Sequence, residues 1–134
     1  MKLKVLSIIV TVFAVILFSY QCSSGPDKEK IHKQLTLEVD EINKNVPTML
    51  SETIRLDSVV LRPNNDLENN YTVTDTISDK SSFFGSIRDE AKRVTKDDPG
   101  MADIRSYKIS TVYNYRDNDG NMLYSFTITP QDYQ

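Results

Sequence analysis

The chain has 134 residues, with 19 acidic and 16 basic side chains, one His, one Cys and no Trp. That length supports one modest hydrophobic core and is too short for two, and a net charge of −3 with scattered basic residues excludes a phosphate backbone as partner, hence nucleic acid. A lone cysteine excludes an internal disulfide, so packing alone must hold the fold, with seven Tyr and five Phe supplying aromatic bulk.

The chain opens with Lys2 and Lys4, continues in a nearly unbroken apolar run from Val5 to Phe18, and then reads Ser19-Tyr20-Gln21-Cys22. A positive start, an apolar core of about 7–15 residues and a cleavage region make a secretory signal. A cysteine at the cleavage point marks an acylated product, because its thiol accepts a diacylglycerol before the preceding peptide bond is cut. The segment resembles a bacterial lipoprotein signal, with Ser19 and Gln21 standing where the usual lipobox has Leu and a small residue. The resemblance implies a signal peptide over residues 1–21, a lipidated polar tether over 22–27 and a domain over 28–134. Acylated Cys22 would hold it to an envelope membrane, the outer membrane facing the periplasm or the cell surface. Several acyl chains hold a protein firmly where one, at about 0.8 kcal/mol per buried CH₂, holds it only marginally. Plain secretion is one alternative. An uncleaved anchor is another, but Val5 to Tyr20 is 16 residues, short of the roughly 20 that span a bilayer. Without residues 1–21 the chain keeps 113 residues, and its remaining 14 basic and 19 acidic side chains leave a charge of −5.

From Lys28 to Asn45, Ile31, Leu35, Val39 and Ile42 recur at helical spacing among charged residues, and Val46 extends the stripe to Pro47. The pattern predicts an amphipathic helix that Pro47 closes. Thr53 to Leu61 alternates at first and ends in β-branched residues, Arg62 to Asp66 is rich in turn formers, and Leu67, Tyr71, Val73 and Ile77 share one parity, which predicts a hairpin. Phe83, Phe84, Ile87, Ala91 and Val94 predict a second helix from about Ser81 to Lys96, with caps available in Ser78 to Ser81. Pro99 is placed to start a short helical turn carrying Met101 and Ile104. Lys108 to Arg116 and Asn121 to Thr129 flank the turn Asp117-Asn118-Asp119-Gly120 and predict a second hairpin, with Met122, Tyr124, Phe126 and Ile128 on one face. The resulting fold class is α+β, a single small domain in the order helix-strand-strand-helix-strand-strand, with an antiparallel sheet of about four strands and both helices on one face.

Pro47, Thr53-x-Arg55-Leu56-Asp57-Ser58-Val59, Tyr71-Thr72-Val73, Pro99-x-Met101 and Tyr115-x-Asp117-x-x-Gly120 together give a pattern. It is similar to that of uncharacterised small exported bacterial proteins over roughly residues 40–134. These are turn and strand residues, so the resemblance implies a fold and brings no activity.

His32 is the only histidine, and neither a nucleophile nor an orienting group accompanies it in the sequence, so a catalytic role is not expected. With one His, and Cys22 committed to lipid, a zinc site would be mostly carboxylate, which is uncommon, so neither metal nor cofactor is expected. Asp117 to Asn121 looks like a fragment of a calcium loop, yet with Gly120 at the sixth position the first and twelfth would be Tyr115 and Phe126, and the motif fails. The acidic pairs Asp97-Asp98 with Asp103, and Asp89-Glu90, read as solvated helix surface rather than glycosidase carboxylates. Tyr113, Tyr115 and Tyr124 remain as binding candidates. On an uncovered sheet face they would form an aromatic platform, while their parity with Ile109, Met122, Phe126 and Ile128 equally makes them a core layer.

The reading that results is a membrane-anchored, non-enzymatic protein-binding module, an adaptor, inhibitor or assembly component whose partner is another envelope or secreted protein. A small-molecule or glycan-binding accessory protein or enzyme, and an immunity protein against a secreted toxin, are the alternatives. Cys22→Ala is expected to release the protein from membranes on cell fractionation; unchanged membrane retention with an intact N-terminus would point to a spanning anchor instead.

Overall fold

A computed structural model describes residues 27–134. The signal segment, Cys22 and all of the tether but Asp27 lie outside them. The elements are α1 (Lys28–Asn43), β1 (Thr48–Met49), β2 (Ile54–Leu61), β3 (Leu67–Val73), α2 (Lys80–Asp97), a 3₁₀ turn (Pro99–Met101), α3 (Ala102–Ser106), β4 (Thr111–Arg116), β5 (Met122–Ile128) and α4 (Pro130–Tyr133). Among the described residues no helix is long and apolar enough to cross a membrane.

The expected antiparallel sheet of about four strands is instead a mixed sheet of five, ordered β1-β2-β3-β4-β5. The strand missing from the expectation is β1, which pairs antiparallel with β2 through Thr48↔Leu56 and Met49↔Arg55. Two residues beside Pro47 are too few to show a period. The second correction concerns β3 and β4, which are parallel. α2 occupies the connection between them and carries the chain back along the sheet, the usual route to a parallel neighbour.

Two bulges shift the strand phase. Leu56 pairs with Tyr71 and Ser58 with Asn70, so Asp57 is an extra residue. Ile54 and Leu56 therefore share the buried side with Val59 despite the change from even to odd numbers. Likewise Tyr115 pairs with Tyr124 and Arg116 with Met122, which makes Leu123 the extra residue. Met122, expected beside Tyr124, Phe126 and Ile128, is turned to the opposite face with Arg116 and is 49% exposed.

The two long helices carry their own start signals. Asp27 accepts from the Glu29 N–H at 3.1 Å and Asp79 from the Ser82 N–H at 3.1 Å. Asp98 ends α2 and accepts from Gly100 at 2.8 Å to start the 3₁₀ turn, while Arg105 Nη1 donates to the carbonyls of Thr95 and Asp98, both at 2.8 Å. Ile31, Leu35, Val39 and Ile42 of α1, Phe84, Ile87, Ala91 and Val94 of α2, and Met101 and Ile104 beyond it share one apolar cluster with the dry side of the sheet. At about 1.5–3 kcal/mol for each fully buried large side chain, this cluster dominates the folding free energy. Asn43 ties α1 to the strand beneath it, donating to the Val59 carbonyl at 2.8 Å and accepting from the Val59 N–H at 2.9 Å. That pair of hydrogen bonds covers the edge of β2 beyond the reach of β1.

One residue of the buried α1 face departs from the apolar pattern. Glu38 is 3% exposed, and neither carboxylate oxygen has a hydrogen-bond partner. Burial raises its pKa above the ordinary carboxylate value, and the nearby Asp103 carboxylate, itself raised by burial, adds to the effect. A raised folded-state pKa means that Glu38 favours folding fully only below its unfolded value and that the favour is lost as pH rises through the folded value. Glu38→Leu is therefore expected to stabilise the domain at neutral pH by about 1–3 kcal/mol, the scale of an unpaired buried polar group. The gain should shrink as the pH is lowered through the raised folded-state value and be largely gone by about 4.5, the ordinary value, as urea unfolding across pH will show.

Candidate functional site

The sheet divides the strand residues into a dry and a wet face, and the tyrosines lie on the dry one. Tyr113 and Tyr115 are 2% and 0% exposed. Tyr71 stacks on Tyr115 with ring centroids 4.7 Å apart, Tyr113 on Phe126 at 4.8 Å, and half-buried Tyr124 on Phe84 of α2 at 5.0 Å. These rings form the core layer under the helices, so Tyr113 and Tyr115 present no aromatic platform to a partner. Burial raises the hydroxyl pKa of both. The Tyr115 hydroxyl has no hydrogen-bond partner.

The other sequence candidates have structural partners. His32 Nδ1 lies 2.6 Å from Asn65 Oδ1, and Asn65, at φ 71°, donates to the Lys28 carbonyl at 3.3 Å, which docks the β2–β3 turn on the start of α1. Asp117 accepts from the backbone N–H groups of Asp119 and Asn121, both at 2.9 Å, which lowers its pKa and shapes the hairpin turn around Gly120 at φ 85°. Glu90 is buried on α2 and binds Arg93. Among the described residues no three His, Cys, Asp or Glu side chains gather as a metal-holding group.

The opposite face carries the arrangement that the sequence reading missed. Residues directly opposite one another share a face, so register alone assembles three rows across the sheet. The first is Met49, Arg55, Thr72, Arg116 and Met122, one residue from each strand. The second is Ser58, Asn70, Asn114 and Ser125, and the third Val60, Glu68, Val112 and Thr127.

Hydrogen bonds lock the middle row into a directed chain. Ser125 Oγ donates to Asn114 Oδ1 at 2.6 Å, Asn114 Nδ2 to Asn70 Oδ1 at 3.1 Å, and Asn70 Nδ2 to Ser58 Oγ at 3.2 Å. Asn114 also reaches Glu68 Oε1 at 3.1 Å, and the other Glu68 oxygen accepts from Arg62 at 2.7 and 3.1 Å. In the first row, the bulged Asp57 accepts from Arg55 Nε and from Thr72 Oγ1, both at 2.6 Å, while Arg116 Nη1 donates to Asn70 Oδ1 at 3.0 Å. Thr72 and Asn114 are each only 6% exposed although they lie on the face opposite the tyrosine layer. Their neighbours shelter them and their polar atoms are satisfied, so the wet face is an ordered surface. Met49, Met122 and Val60, three of the four exposed large apolar side chains among the described residues, lie on it at 50%, 49% and 44% exposure. A signal was present in the alternating polar residues Glu68, Asn70, Thr72 and Asn114, Arg116. The bulges and the parallel pairing that bring them into rows left no local mark.

Residues 29–124 match the DUF8479 family, described as a domain of unknown function. The chain belongs to this family. No curated protein matches it. Three solved structures share the fold of this DUF8479 member. One is a Pseudomonas aeruginosa protein described as secreted, 14% identical with TM-score 0.66, the match covering 82% of this chain and 100% of that one. The second is the pilotin of the Vibrio vulnificus type II secretion system, 8% identical with TM-score 0.60, covering 80% and 94%. The third is the type II secretion pilotin of Vibrio cholerae, 7% identical with TM-score 0.59, covering 78% and 94%. At such identities the likeness is one of fold.

The two faces respond differently to substitution. Tyr115→Phe removes a hydroxyl with no partner and is expected to leave stability unchanged or to raise it by up to about 1 kcal/mol. Asn114→Ala removes a joint of three hydrogen bonds, takes a partner from part-buried Glu68 and Asn70, and is expected to cost about 1–2 kcal/mol in denaturant unfolding.

Proposed function

We propose that this DUF8479 protein is a lipid-anchored, non-enzymatic adaptor of the bacterial envelope that docks a protein of a secretion apparatus on its wet sheet face. The fold likeness to two type II secretion pilotins, over about four-fifths of this chain and nearly all of theirs, carries the reading. The likeness to a secreted protein and the lipoprotein-type segment ending at Cys22 agree with an envelope address. The wet face supplies what an adaptor requires: prearranged polar groups whose ordering entropy is already spent, with exposed Met and Val side chains to exclude water from a contact.

A photo-crosslinking residue introduced at Val60 is expected to give one predominant adduct in living cells, identified by mass spectrometry as an envelope protein of a secretion system. The same residue at Lys33, on the solvent side of α1, should give none. Equal adducts from both positions, or none from Val60, would remove the adaptor role.

A further inference from the structure

The first row of the wet face has a composition and charge pattern that define its ligand. From Met49 to Met122 it crosses five strands, a span of about 19 Å at roughly 4.8 Å per strand. Half-exposed methionines stand at both ends and two arginines stand inside them, flanking buried Thr72. The arginines differ in what holds them. Arg55 is paired with Asp57 at 2.6 Å, and Arg62, elsewhere on the face, with Glu68 at 2.7 Å. Among the described residues Arg116 binds only the neutral oxygen of Asn70. Among the described residues no carboxylate forms an ion pair with it. The charged side chains named on the face, Arg55, Arg62 and Arg116 against Asp57 and Glu68, leave one positive charge, on a domain whose net charge is negative.

An uncompensated guanidinium beside a flexible, polarizable methionine is a receptor for a carboxylate flanked by apolar groups. Arg offers a planar fork of donors that matches a carboxylate, and Met adapts its shape to apolar side chains of varied outline. We propose that the Met49–Arg55–Thr72–Arg116–Met122 row binds a partner-protein segment that places an Asp or Glu side chain on Arg116 and apolar side chains on Met122 and Met49. The inference deepens the adaptor reading and rests on it for the partner being a protein. Like charge on the rest of the domain repels acidic segments elsewhere, so the row also fixes where such a segment can land. The central asparagine chain, with its hydrogen bonds already made, holds Arg116 in place through Asn70.

The test uses the mature chain and three synthetic peptides of sequence Ser-Leu-Ser-X-Ser-Leu-Ser, with X as Glu, Gln or Lys, so that X and both leucines share one face of an extended segment, followed by NMR amide shifts. The Glu peptide is expected to shift Thr72, Arg116 and Met122 saturably and to bind about fivefold more tightly than the Gln peptide, the scale of an exposed ion pair. The Lys peptide should bind most weakly. Arg116→Gln should abolish the Glu-over-Gln preference, Arg116→Lys should retain part of it, and Arg62→Gln should leave it intact. Met49→Ser and Met122→Ser should weaken all three peptides alike. A preference unaffected by Arg116→Gln, binding that requires a free C-terminal carboxylate instead of the Glu side chain, or no saturable shift overturns the proposal. Self-association that protects the same amides would assign the row to a second copy and overturn it too. The adaptor reading fails separately: peptides that bind as described while Val60 captures nothing in cells leave the row standing and remove the secretion partner.

Discussion

The parallel pairing of β3 with β4 is the constraint on which both faces depend. It places Tyr71 opposite Tyr115 and Asn70 opposite Asn114. On the dry side the pairing stacks aromatic rings at 4.7 Å. On the wet side the neighbouring pair joins two side-chain amides at 3.1 Å. A slip of one residue would exchange the faces, driving asparagines under the helices and tyrosines into water, so register is strongly specified. The fold and its candidate binding surface are consequences of the same alignment.

The polar rows are stiff for a reason that differs from the stiffness of the core. Core side chains are held by close packing, whereas each amide of the middle row both donates and accepts and so fixes its neighbour. The bulge at Asp57 contributes by adding one carboxylate within reach of Arg55 and Thr72. Without the extra residue the first row would hold two free arginines. With it, one arginine is neutralised and the other remains available.

Much of the fold could be read from local patterns, because helix periodicity, caps and turns are short-range properties. α1, α2, the helical turns after Pro99 and the two hairpins fall where spacing and capping residues placed them, with ends shifted by up to four residues, the largest at the end of β3, read to Ile77 and found at Val73. What could not be read were features created by distant strands. β1 gains its identity only by lying on β2, and the parallel junction depends on where α2 delivers the chain. The bulges at Asp57 and Leu123 are visible only against a partner strand. The same distinction explains the site. Tyr113, Tyr115 and Tyr124 attract notice as aromatic residues on strands, yet their parity belongs to the core. Arg55, Asn70, Asn114 and Arg116 look like ordinary surface residues until register aligns them.

Asn65 pins the turn between β2 and β3 to the first residue of α1, and this contact puts the start of α1 at one end of the sheet. The entering chain arrives at the end where Val60 and Glu68 sit, while Arg55 and Thr72 lie four register positions farther along, about 13 Å away at roughly 3.3 Å per residue. A tether joined at that corner would hold the valine end of the sheet nearer its attachment point and carry the methionine–arginine row outward, like the far edge of a hinged plate.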